Sequence, residues 1–461
     1  MIEDIYHRLW SLSRRVDQSD AYTELVSLTQ DLIRLYDDQG RLSEDPFQPT
    51  RMRVLSLPEN ISSILEDRVC LITGGSGCVG STLVDSLQQF NIRKVIVFDR
   101  EPIPPHVHHP NVTFEQGDIR DFRRLLTVFA QYQPDYVFHC AAQRDPGYAE
   151  RHIYETISTN VKGTYNVVQA CEQTASVKHC AFSSTGKSSR YFTEEVYAGT
   201  KKMCEYILDR YSRKGRVSYG MVRFTHILDN SLMNQQLTRE AEHNQFVAVH
   251  CPGKFVTAQN VREAAHLLIN TLAYTEDRHC PFLLVRNLEW PVESLEMALY
   301  YIKRSGRKIP VIFLGNPIGY TEKFFRGQMD WSNPQELNLL INVYEQRYRK
   351  YNSSNDIIIS HLAPVSDDLI DTVLAPILTS EGDEETFSLM KKALREIVAD
   401  SLTRVDKNDT VNILNWGLQQ KFLDSEKAQA SDYGPIIPML FKSLEKSEHN
   451  TQVLGLQLRS A

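Results

Sequence analysis

A tyrosine and a lysine four residues apart, Tyr197-Ala-Gly-Thr-Lys201, offer the most telling side-chain chemistry in this sequence. In a helix the two share one face. A lysine so placed lowers the tyrosine pKa, and the phenol can then take the proton of a substrate hydroxyl or give one to a carbonyl. Twelve residues upstream of the tyrosine, Ser184-Thr185 closes an apolar run and can hydrogen-bond the same substrate oxygen. Tyr-x-x-x-Lys alone is common on solvated helices, and a glycine-rich stretch earlier in the chain makes it specific.

That stretch is Thr73-Gly-Gly-Ser-Gly-Cys78-Val79-Gly80, between an apolar run and a helical pattern over 81–90. Gly74 permits a tight turn, Gly77 lets backbone approach a pyrophosphate, and Gly80 lets the helix pack on a sheet. The helix N-terminus then offers N–H groups and partial positive charge to phosphates. Asp99-Arg100 follows at the end of the next apolar run. The acid suits the ribose of NAD and the arginine the 2′-phosphate of NADP, so the cofactor reads as NAD or NADP. Asp118-Ile119 follows a third run, where an acid can meet the adenine edge or simply cap the next helix.

These groups need a scaffold, and the texture between Arg68 and Arg223 supplies one. Short runs at 69–73, 94–99, 112–115, 136–139, 180–183 and 219–223 alternate with helical patterns. This predicts βαβ units and a doubly wound, parallel Rossmann sheet, an α/β fold covered on both faces. Further strands are expected at 282–286 and 310–314. Residues 1–66 hold 7 arginines, no lysine and 12 acids, with Leu9, Leu12 and Val16, then Leu25, Leu28, Leu32 and Leu35, at helical spacing. They read as two amphipathic helices and a linker over 43–59, an extension packing on the main domain. After about Trp331 helices are expected at 334–351, 366–375, 384–403 and 410–423. The division is then 1–66, 67–330 and 331–461.

Composition bounds the function. An apolar fraction of 42% and a charged fraction of 24% exclude a wholly disordered, collagenous or coiled-coil chain. A net charge of −7 argues against a generally basic nucleic-acid binder. No run reaches the ~18 apolar residues of a membrane span, and the acidic start is unlike a secretory signal. Eight cysteines, none in a Cys-x-x-Cys pair, read as reduced thiols in a cytoplasmic protein. His106, His108 and His109 form a surface loop on this reading, and no metal is expected. Thr185-Gly-Lys-Ser188 lacks the first glycine of a phosphate loop, since Ala181 stands there. Glu194 and Glu195 read as charge complements to a helix dipole, or as substitute acids.

The glycine turn, the Ser/Thr and the Tyr-x-x-x-Lys resemble the extended short-chain dehydrogenases/reductases, and within them the UDP-N-acetylglucosamine 4,6-dehydratase-like branch of polysaccharide biosynthesis. His139-Cys-Ala-Ala142, Thr159-Asn-Val-Lys-Gly-Thr164 and Gly315-Asn-Pro-Ile-Gly-Tyr-Thr-Glu-Lys-Phe-Phe325 resemble its further motifs, from about Asp67 to Gln328. The resemblance implies a small C-terminal substrate lobe beside the Rossmann sheet. It implies Tyr197, Lys201, Thr185 and Lys187 in catalysis. Gly74, Gly77, Cys78, Val79, Gly80, Asp99, Arg100, Asp118, Ile119, Ala141, Ala142, Asn160 and Lys201 would hold the cofactor, and Arg144, Asp145, Ser184, His226 and Lys254 the substrate. In the family the tyrosine and lysine oxidise a sugar hydroxyl as hydride passes to NAD(P)+, and a Ser-Thr-Asp-Lys run supplies acid and base for loss of water. Here that run is Ser184-Thr185-Gly186-Lys187, so the acid is missing. The expected substrate is a nucleotide sugar or similar polar metabolite, and the expected assembly a homo-oligomer. Two other readings stand beside it: a tailoring oxidoreductase of secondary metabolism on a non-sugar or carrier-tethered substrate, and a non-catalytic dinucleotide-binding sensor or scaffold.

Overall fold

The apolar runs form strands because β-branched and aromatic side chains fit a pleated surface buried on both faces. In the computed structural model, β1 (Val69–Thr73), β2 (Lys94–Asp99), β3 (Val112–Gln116), β4 (Tyr136–His139), β5 (His179–Thr185), β6 (Ser218–Phe224) and β7 (Phe282–Val285) run parallel. Two later strands, β8 (Lys350–Tyr351) and β9 (Ile357–Ser360), close one edge antiparallel. The order is β8-β9-β7-β6-β5-β4-β1-β2-β3. The direction of winding reverses between β1 and β4, the place where an open α/β sheet binds ligands beyond its carboxyl ends. The structure describes residues 2–104, 107–228, 232–276, 278–316, 318–320 and 323–445. His106, and Pro317, Thr321 and Glu322 of the late signature, lie outside them.

The contacts divide the chain into two units rather than three consecutive segments. The sheet unit is Leu55–Phe224, Ala265–Arg286 and Glu322–Ala461. The smaller unit is Met1–Val54, Thr225–Ala264 and Asn287–Thr321. The first two helices, Ile2–Ser13 and Ser19–Asp38, belong to the smaller unit. Leu9, Leu25 and Leu32 share its core with Leu299 and Val311, so this arm is an integral part of a lobe. The strand expected near 310–314 is Val311–Phe313, and it pairs with Val247–Val249 in this lobe instead of joining the main sheet. The expected linker contains a short helix, Gln48–Met52, strapped down where Asn260 donates to the Thr50 and Arg53 carbonyls.

The expected helix over 334–351 does not form. Asn338 and Asn342 turn their side chains onto their own backbone: Asn338 Oδ1 accepts from Leu340 N–H, and Asn342 forms a capping box with Glu345. What remains is a one-turn helix, Val343–Gln346, followed by β8 and β9. The helix expected over 410–423 is two, Lys407–Gly417 and Gln420–Glu426; a Cβ at Gly417 would lie 2.2 Å from the Phe325 ring. The long helix Asp383–Arg404 lays Met390 and Leu394 against Gly199 of the helix Val196–Lys214. No described helix is long and apolar enough to cross a membrane.

One buried cluster ties the C-terminal segment to the sheet. Arg223, on β6, is fully buried. Its guanidinium bonds Glu205 at 2.8 and 2.9 Å and Glu345 at 2.7 Å, donates to the Leu340 carbonyl and stacks on Phe282. Two carboxylates around one bidentate cation satisfy the hydrogen-bonding groups that desolvation would otherwise penalise.

Candidate active site

The glycine turn has the geometry its residues dictate. Gly74 has φ +73°, and a Cβ there would lie 2.5 Å from the Ala141 backbone nitrogen. A Cβ at Gly80 would lie 2.2 Å from the Gly74 carbonyl, so the helix Cys78–Leu87 approaches the turn only because Gly80 has no side chain. At Gly77 a Cβ would meet only the Gly74 carbonyl, at 3.3 Å. That contact is far looser than those at Gly74 and Gly80, so the fold demands glycine less strictly at this position, which lies at the N-terminus of the helix. Cys78 and Val79 form the first helical turn.

Asp99 closes β2 and accepts N–H bonds from Ser76 at 2.9 Å and Glu101 at 3.2 Å, which ties the carboxylate to the glycine turn. Arg100 is largely exposed. Asp118 is pulled up by burial, but its bonds with Arg120 prevail and hold it below the usual carboxylate range. Ile119 packs under Gly163. Asn160 sits in a π-helical turn, Ser158–Lys162, and spends its amide on structure. It accepts from the Gln143 N–H and donates to the Gln143 carbonyl and the Thr200 hydroxyl, fixing the loop that carries Ala141 and Ala142.

At the end of β5, alternation sends neighbouring side chains to opposite faces. The Thr185 hydroxyl lies beside the Tyr197 phenol and favours its ionised form. Ser184 points the other way and donates to Glu205 at 2.6 Å, so it is part of the buried Arg223 cluster and is not placed with Tyr197. Burial raises the Tyr197 phenol above its ordinary range, opposed by Thr185 and by the charge of Arg144. The lowering expected from Lys201 is not found: Lys201 Nζ donates to the Ser183 carbonyl at 2.8 Å, and burial pushes its own pKa down. Arg144 instead supplies the positive field at the phenol.

Gly186 is filled space. A Cβ there would lie 2.0 Å from Leu340 Cδ2, a side chain only 3% exposed. Lys187 is not a free base: its ammonium bonds Glu195 at 2.7 Å. Asp145 caps the helix Pro146–Arg151 by accepting from Tyr148 N–H. His226 and Lys254 belong to the smaller unit; His226 is held near 4 by burial, and Lys254 is exposed. Glu194 is exposed and paired with Arg395, as a helix-start charge should be, whereas Glu195 is buried. Sequence reading missed the pairing of Glu205 and Glu345 with Arg223, and the part of Leu340; no local spacing signals partners 117 to 122 residues away. His109 bonds Asp85 at 2.8 Å, and no cluster among the described residues could hold a metal.

Residues 70–241 match the family described as NAD dependent epimerase/dehydratase. The chain is 23% identical to the capsular polysaccharide biosynthesis protein CapD of Staphylococcus aureus, over 61% of this chain and 51% of that protein. It is 30% identical to UDP-N-acetylglucosamine 4,6-dehydratase (inverting) of Campylobacter jejuni subsp. jejuni serotype O:2, over 33% of this chain and 48% of that one. The chain thus spans about half the length of the curated relatives it matches. The X-ray structure of Pen from Bacillus thuringiensis shares the fold, with a TM-score of 0.54 at 20% identity, covering 66% of this chain and 89% of that one.

Proposed function

We propose that this chain, whose residues 70–241 match the NAD dependent epimerase/dehydratase family, oxidises and re-reduces a hydroxyl of a nucleotide sugar used as a polysaccharide precursor. The observation that carries the reading is the placement of the Thr185 hydroxyl beside the Tyr197 phenol, at the carboxyl edge of the sheet that also bears the glycine turn. Gly74, Gly77 and Gly80, with the first turn Cys78–Val79, would hold the NAD pyrophosphate, and Asp99 its ribose. NAD, when bound, accepts hydride and gives it back. A carboxylate at Asp99 repels a 2′-phosphate, which favours NAD over NADP.

In this reading Tyr197 Oη takes the substrate hydroxyl proton, Thr185 orients the same oxygen, and Arg144 favours the phenolate by its charge. Lys201 holds the end of β5 through the Ser183 carbonyl and would help hold the cofactor's ribose. Loss of water needs a proton donor at the leaving hydroxyl, worth about 10²–10⁴ in rate. Gly186 offers none, and Leu340 fills the space beside it. We therefore expect reversible oxidation or epimerisation in preference to rapid 4,6-dehydration.

Incubation with NAD and either UDP-glucose or UDP-N-acetylglucosamine, followed by NMR, tests this. Exchange or epimerisation at the oxidised carbon is expected, with little 4-keto-6-deoxy product. Tyr197→Phe should lower turnover by about 10²-fold or more with NAD affinity unchanged. Equal NAD affinity with no turnover in either protein would favour the non-catalytic scaffold.

A further inference from the structure

The chemistry assigned to Tyr197 leaves one group of charges at the same edge without a task. Glu195 immediately precedes the helix Val196–Lys214 and is only 8% exposed. Its Oε2 accepts from Lys187 Nζ at 2.7 Å and lies 3.1 Å from the Arg190 guanidinium. Its Oε1 has no hydrogen-bond partner among the described residues. A buried carboxylate with one oxygen doubly paired and the other bare is an incomplete network, and such a group in a native site calls for a donor.

Its position shows which donor. The backbone N–H of Lys187 is capped by Thr185 Oγ1, and the same hydroxyl lies beside the Tyr197 phenol. Glu195 and Tyr197 are therefore held by one short turn. Glu150 borders the cluster, its Oε1 accepting the Val196 N–H at 2.7 Å, and the negative charge of Glu195 acts on it. An anionic ligand group would meet two carboxylates there, and a cationic one would duplicate Lys187 and Arg190. A neutral hydroxyl, donating one hydrogen bond, matches the vacant acceptor.

We propose that Glu195 Oε1 accepts a hydrogen bond from a hydroxyl of the substrate's hexose ring, so that Glu195 determines specificity for a polyhydroxylated substrate. The inference rests on the nucleotide-sugar reading above. Lys187 and Arg190 hold and orient the carboxylate through its Oε2, and the hydroxyl completes it.

Calorimetric titration of the NAD-saturated full chain with UDP-glucose, and with UDP as the probe lacking the hexose, tests this. Glu195→Gln keeps the shape but turns an NH2 or a weaker acceptor toward the hydroxyl. It should weaken UDP-glucose at least tenfold, change UDP affinity less than twofold and leave NAD affinity intact. Glu194→Gln, at the exposed neighbour, should change none of the three. If Glu195→Gln fails to hold NAD, Glu195→Asp, which withdraws the carboxylate by one methylene, should show the same hexose-selective loss. Equal loss for UDP and UDP-glucose, or no loss for either, would overturn the assignment of Glu195 alone. Failure of the unaltered protein to bind UDP-glucose more tightly than UDP would overturn the nucleotide-sugar reading, and this assignment with it.

Discussion

Single glycines divide the turn into positions the fold needs and one, Gly77, that only the proposed cofactor would need. Gly74 and Gly80 meet backbone at 2.5 and 2.2 Å, so side chains there would distort the turn itself. Gly77 meets only one carbonyl, at 3.3 Å. Gly77→Val should therefore leave thermal stability within about 1 kcal/mol while abolishing NAD binding, because its branches enter the pyrophosphate space. Unchanged NAD affinity by titration would make the glycine turn merely structural. Gly186 behaves differently. Gly186→Asp would put a carboxylic acid where the family's run has one, but the new Cβ runs into Leu340 Cδ2. Overpacking of this kind costs about 1–3 kcal/mol. The variant should melt several degrees lower and gain no 4-keto-6-deoxy product; rapid elimination by it would show that Leu340 yields easily.

Among the elements, β5 and the helix Val196–Lys214 hold the residues proposed to carry the chemistry, and the segment after residue 331 packs against them. Glu345 reaches Arg223 from outside the core motif and completes its hydrogen bonds. Glu345→Gln leaves the guanidinium with one carboxylate fewer in a dry environment. Removing one partner of such a pair typically costs 3–5 kcal/mol, so a clear fall in the urea midpoint is expected, with little change in slope. The strands themselves were readable, because continuous apolar runs between glycine turns have few other uses. The helix expected over 334–351 was not. Its periodicity was real, but Asn338 and Asn342 captured their own backbone and Glu345 was committed to Arg223. Nothing in the local pattern reports a partner so distant in sequence.

For the molecule as a whole, acid should be more damaging than the net charge suggests. His139 and His179 are both buried and held neutral, each pushed by desolvation to about 3 from the ordinary 6.5. The unfolded chain protonates them below about 6.5 and the folded chain only near 3, so the unfolded state binds more protons between those values. Their contribution is fully present above 6.5 and is lost as pH falls, by about 2 kcal/mol for each histidine at pH 5. Urea titrations at pH 7 and pH 5 should show this, and His179→Asn should reduce the drop. Deleting residues 331–461 removes β8 and β9, opens the β7 edge and leaves Arg223 without Glu345. The shortened chain should lose near-ultraviolet circular dichroism; a native-like spectrum would contradict the integral role given to this segment.

The α/β class, the positions of the first six strands, the turn at Gly74–Gly80 and the candidacy of Thr185, Tyr197 and Lys201 were legible from the chain alone. Each rests on short-range physics: alternation of apolar runs, absence of a Cβ, and four-residue spacing on a helix. Tertiary structure decided which groups act on one another. It turned Ser184 away into the Arg223 cluster, put Arg144 rather than Lys201 in the field of the phenol, filled the space beside Gly186 with Leu340, and drew the N-terminal helices into the smaller unit. These outcomes depend on close packing and desolvation between residues far apart in sequence, which no local pattern encodes.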